Sequence, residues 1–125
     1  MNPDTLSPLA PRDAAPLLRP LLDELLALLG GLTPEQWLRP TVAGQWRVRD
    51  IAAHVIDTMQ RRLAIGRDGH RIETGPLESY ADVLRLINGL NATGVDYAAR
   101  LSPRQLVESM ARVGDDFVTF VSGLP

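Results

Sequence analysis

Read for the spacing of its apolar positions, the chain divides into four helical stretches separated by proline- and glycine-bearing breaks. Leu17, Leu18, Leu21, Leu22, Leu25, Leu26, Leu28 and Leu29 recur at helical spacing, with Asp23 and Glu24 on the wet side. This predicts a first helix from about Pro16 to Leu29, which tolerates Pro20 if that residue lies in the first turn, with Gly30-Gly31 as its stop. Thr33-Pro34-Glu35-Gln36 has the form of a capping box and opens a helical turn around residues 34–38. Pro40 and Gly44 then interrupt the chain. Trp37 and Trp46 flank that break, so the loop is expected to be pinned to the core by its aromatics.

A second helix is predicted from Arg47 or Val48 to Ile65, with Gly66 ending it. Val48, Ile51, Ala52, Val55, Ile56, Met59 and Leu63 make its apolar face, and Asp50 falls at its third position, where a carboxylate caps free amides. A polar connection from Gly66 to Gly75 contains His70. The third helix is expected from Pro76 toward Leu101, weakened by Gly89 and Gly94. Ser102-Pro103-Arg104-Gln105 repeats the capping pattern and opens a fourth, with Leu106, Met110, Val113, Phe117, Val121 and Leu124 on one face. Residues 1–15 read as an irregular arm and 16–125 as one all-α bundle domain.

Composition narrows the chemistry. Aromatics make up only 5% of the 125 residues, so the core is built from Leu, Val, Ile and Ala. All 13 basic residues are arginine, which excludes lysine Schiff-base chemistry. There is no cysteine, hence no disulfide framework and no thiolate ligand. A net charge of −2 gives no electrostatic case for nucleic acid or an anionic membrane. No leader-like apolar region or membrane-length run occurs, so the expected compartment is the cytoplasm.

His54 lies roughly 140° round the second helix from the centre of the apolar stripe, beside Asp50, Asp57, Thr58 and Arg61. Two readings stand: a half-exposed histidine paired with Asp50, or a metal ligand needing at least two further donors. His70 is the only other histidine. Arg61, Arg62, Arg67 and Arg71 read either as a solvated helix end near the negative pole of the dipole or as a site for an acidic small molecule. Ser79, Ser102, Ser109 and Ser122 have no paired base in the sequence, so no nucleophilic triad and no catalytic residue is assigned.

Leu32-Thr33-Pro34-Glu35-Gln36-Trp37, Pro40-Thr41 and the W-x-V-x-D-x-x-A-H run from Trp46 to His54 resemble the N-terminal metal-binding domain of mycothiol-dependent maleylpyruvate isomerases. The leucine-rich helix before and Arg67-Asp68-Gly69-His70 after extend the resemblance, which places the chain in the wider DinB-like group of helical bundles. It implies a divalent metal, zinc or nickel, with His54 as first ligand and the remaining ligands on a later helix bearing an acidic residue and histidines about four apart. The metal there activates a thiol cofactor for isomerisation or transfer.

The chain departs from that pattern. No histidine follows His70; Glu108, Asp115 and Asp116 do not reproduce the later ligands; and Arg47 stands where the family often has Ser or Thr. The expectation is a shortened, non-catalytic binding module, with a metal- and thiol-dependent enzyme completed by a second subunit or a missing segment as the alternative. Uncovered apolar surface on the second and third helices is expected to bring two copies together as a homodimer.

Overall fold

The computed structural model describes residues 2–125 and is all-helical. Its elements are α1 (Ala15–Gly30), the short α2 (Pro34–Trp37), α3 (Val48–Arg62), α4 (Tyr80–Ala98) and α5 (Pro103–Ser122). A single 3-10 turn, Pro3–Thr5, punctuates the exposed arm. No described helix is long and apolar enough to cross a membrane.

The two expected capping boxes form. At α2, Thr33 Oγ1 accepts from the Gln36 amide (3.2 Å) and Gln36 Oε1 accepts from the Thr33 amide (2.9 Å). At α5, Ser102 and Gln105 make the same exchange at 3.2 and 2.9 Å. Each satisfies two amides that a helix start otherwise leaves unpaired.

Three boundaries differ from the sequence reading. Pro20 is the sixth residue of α1, past its first turn. The helix tolerates it because Pro20 and Pro16 are both exposed, so the carbonyl that loses its partner belongs to a residue at the water-facing side. The third long helix begins at Tyr80 and ends at Ala98, not at Pro76 and Leu101. Ser79 is the true cap: its Oγ accepts from the Asp82 amide (3.2 Å), while Asp82 Oδ2 accepts from the amides of Glu78 and Ser79 (both 3.0 Å). Hydrogen bonding to the carboxylate, from the Ser79 side chain first and then from the Glu78 and Ser79 amides, holds Asp82 below the usual carboxylate range. Finally, α3 does not stop at Gly66. It widens into a π turn, Leu63–Arg67, closed by the Asp68 amide on the Leu63 carbonyl (3.0 Å). Gly66 lies inside it, where a Cβ would stand 3.0 Å from the Phe120 ring; the missing side chain lets the turn approach α5.

The core sits around α5. Leu106 and Met110 have no exposed surface, and Leu22, Leu29, Trp37, Ala52, Ala53, Ile56 and Leu63 pack with them. α5 lies against both α1 and α3, and α4 packs on another face of α3. Close helix approach depends on small residues at two contacts. A Cβ at Gly114 would come within 2.6 Å of Leu22, and one at Gly94 within 2.4 Å of the Asp57 carboxylate. Of the apolar surface expected to lie uncovered on the second and third long helices, α4 shows it (Tyr80, Leu84, Ile87, Tyr97), whereas the apolar residues of α3 itself are buried or half-buried; other large exposed side chains stand on α1 (Leu17, Leu21, Leu28), in the arm (Leu9) and in the α2–α3 loop (Val42).

Candidate functional site

The site is prepared by the loop between α2 and α3. Residues 39–48 fold back on themselves: Pro40 bridges Arg47 in antiparallel fashion, and the Val48 amide donates to the Arg39 carbonyl (3.0 Å). Thr41 holds the turn from inside, its hydroxyl donating to the Trp46 carbonyl (2.7 Å) and accepting from the Ala43 amide (3.1 Å). Gly44 supplies the left-handed φ of +64° that this tight return needs. The result delivers Trp46 onto α3, its ring centroid 5.0 Å from that of His54 at a 44° tilt. Trp37 goes into the core (3% exposed), so the expected pinning by two aromatics holds, with different roles for each.

α3 starts at Arg47, whose amide donates to Asp50 Oδ2 (2.8 Å). Asp50 is the one buried charged residue among those described, and the cap is what makes its burial tolerable. Arg49 reaches sideways and donates to the carbonyls of Ala98 (3.0 Å), the last residue of α4, and of Leu101 (2.7 Å), just beyond it, placing a cation at the negative end of that helix. Sequence reasoning missed this clamp, because nothing local marks residues about fifty positions apart as neighbours.

His54, two turns into α3, is half-buried. Its Nδ1 is buried with no hydrogen-bond partner. The expected pairing with Asp50 is not made: Asp50 caps the helix instead. Asp57, on the other side, accepts from Arg61 Nε (2.9 Å), and Arg61 Nη2 donates on to Asn91 Oδ1 of α4 (2.7 Å). Gly94, one turn along from Asn91, gives the Asp57 carboxylate its room. Both carboxylates flanking His54 are therefore engaged elsewhere. His70 is exposed beyond the π turn, and the described residues contain no group of three His, Cys, Asp or Glu able to hold a metal.

The arginine cluster is largely neutralised. Arg61 is committed to Asp57 and Asn91, and Arg67 donates to both carboxylate oxygens of Asp68 (2.7 and 3.1 Å) with Asp116 at 3.8 Å. The Arg67 hydrogen bond draws Asp68 below the usual carboxylate range. Arg62 and Arg71 are exposed, as a solvated helix end requires. Ser79 and Ser102 serve as caps. A groove of about 710 Å³ between α4 and α5, floored by Ala53, Ile56 and Gln60 of α3, does not include His54.

The capped α3 start, the tryptophan laid on its histidine and the leucine-rich helix alongside are the features the sequence resemblance depends on. A family model described as the mycothiol maleylpyruvate isomerase N-terminal domain matches residues 18–125. The chain belongs to this family. The family match begins within α1 and runs through α5, so the exposed arm lies before it. Comparison with curated proteins and with solved structures returned no match. A zinc or nickel centre needs three or more converging donors, and among residues 2–125 no such group gathers round His54 or elsewhere. The described residues do not fit a complete centre.

Proposed function

We propose that this chain acts as a binding module of the mycothiol maleylpyruvate isomerase N-terminal domain family, non-catalytic alone, with His54 its one donor toward a divalent metal. One observation carries the reading. The imidazole Nδ1 is buried and unpartnered, while the two carboxylates on its helix flank are spent on the Arg47 amide and on Arg61. A reaction that depends on a metal-activated thiol needs donors that these residues do not bring together. The purified chain, supplied with zinc or nickel and mycothiol, is expected to isomerise maleylpyruvate no faster than buffer containing the same metal and thiol. Turnover above that background, abolished in His54→Ala, would contradict the proposal.

The same orphaned nitrogen favours a second reading, an enzyme whose centre is completed by another subunit or by residues outside 2–125. Leaving a buried imidazole nitrogen unpaired costs about 1–3 kcal/mol, and a shared metal would recover that cost. This reading requires zinc or nickel to drive self-association in sedimentation; association unchanged between metal and chelator would sink the second-subunit route.

A further inference from the structure

The groove between α4 and α5 has a closed end and an open one. Arg49 ties the start of α3 to the last carbonyls of α4, and α5 begins after a short link, so three helices converge there. Away from that end α4 and α5 each pack on α3 rather than on one another, and a space of about 710 Å³ opens between them. Pockets that enclose small ligands measure about 300–1,000 Å³. The deep side is apolar: Ala53, Ile56, Ala98 and Leu106 line it and are buried. Helical register carries polar lining residues toward the open end. Gly66 of the π turn lies against Phe120, and roughly two turns back along the two helices come Gln60 and Arg112, with Ser109 a turn beyond.

Two of these polar groups are left free by their own helix. Positions four residues to either side would offer Arg112 two carboxylates. Glu108 instead accepts from Arg104 (2.9 Å), and Asp116 lies 3.8 Å from Arg67, so Arg112 has no ion-pair partner among the described residues. The hydroxyls of Thr58 and Thr93 bond back to carbonyls four residues earlier, both at 2.8 Å; that of Ser109, half-buried, makes no such bond. We infer that the groove binds an apolar monocarboxylate, its tail along Ile56 and Leu106 and its carboxylate on Arg112 and the Ser109 hydroxyl. A cationic ligand would find both lining carboxylates engaged, Asp57 by Arg61 and Glu108 by Arg104. A polyphosphate would need more than one free guanidinium, and Arg61, the other lining arginine, is committed to Asp57 and Asn91. The groove does not include His54, so this site stands or falls separately from the metal reading.

The test titrates octanoate, 1-octanol and octylammonium, which share a tail and differ in head, into the full chain by calorimetry in chelator. Octanoate is expected to bind saturably and at least about tenfold tighter than either of the others. Arg112→Ala, at an exposed position, should keep the helical circular dichroism and weaken octanoate by at least about tenfold while leaving octanol unchanged. Arg62→Ala, an exposed arginine outside the groove, should change nothing. Amide shifts caused by octanoate should gather on Gly94, Ser109 and Arg112 and spare the smaller groove between α1 and α3, about 140 Å³. Equal affinity for the three heads overturns the inference, as does octanoate binding that is absent, indifferent to Arg112→Ala or centred on the α1–α3 groove. The head series needs no variant, so it decides alone if Arg112→Ala loses its helicity.

Discussion

Trp37→Ala is expected to remove about 3–5 kcal/mol of stability, a large share of the roughly 5–15 kcal/mol that holds a domain of this size. Trp37 is 3% exposed and is held by a helix of only four residues, so α2 has little reason to stay in place once the indole is gone. Around it lie Leu29 near the end of α1, Leu32 in the link that follows, and Pro103 and Val107 at the start of α5, and α2 packs on α3. The cavity would therefore open where three long helices meet. Urea denaturation should show a lower midpoint with the slope unchanged; a loss under about 1 kcal/mol would mean that α2 does not anchor the bundle. The substitution also frees the loop that carries Trp46, leaving that residue as the single indole. Its fluorescence then reports whether the contact with His54 survives without the α2 anchor.

The second large effect is expected at Met110→Ala, about 2–5 kcal/mol. Met110 has no exposed surface and lies on α5, the helix against which both α1 and α3 pack. It also forms part of the floor of the α1–α3 groove, so truncation enlarges an existing depression rather than one that neighbours can close. Alanine's better helix propensity recovers only a few tenths of a kcal/mol. Met110→Leu, nearly conserving volume, should cost under about 1.5 kcal/mol. Equal losses for the two variants in thermal or urea unfolding would contradict the packing described for α5.

Much of the fold was legible because its signals are local. The capping boxes at Thr33 and Ser102 each need only residues three apart, and both form as read. The Leu106–Met110–Val113 stripe of α5 is a single-helix periodicity and buries as expected, whereas the leucine repeat of α1 buries only in part: Leu22 and Leu29 enter the core while Leu17, Leu21 and Leu28 stay exposed. The start of α4 was misplaced because a proline at position 76 offered a competing first-turn signal, while Ser79 and Asp82 together satisfy three amides and decide the boundary. The π turn at Leu63–Arg67 has no sequence period of its own, and the closeness of Gly66 to Phe120 is a contact between helices that spacing along the chain does not reveal.

The site was legible only in part, for the same reason. The position of His54 on a flank of α3 follows from angular spacing, and the pinning of the loop by its two tryptophans was readable, but the contact of Trp46 with His54 was not. The fate of its neighbours was not readable. Asp50 had two possible uses, helix cap or imidazole partner, and the cap prevails because the Arg47 amide is fixed within 2.8 Å by the helix start itself. Asp57 is turned toward α4 by Arg61, whose second partner, Asn91, lies thirty residues on. Such choices are made across helices, where sequence spacing carries no information.

The central claim is that His54 presents a lone donor, and metal content tests it most directly. The chain should be loaded with zinc or nickel, dialysed extensively and analysed by plasma mass spectrometry alongside His54→Ala. The account predicts retention well below one ion per chain, the same in both proteins. One tightly held ion per chain, lost in His54→Ala, would contradict it.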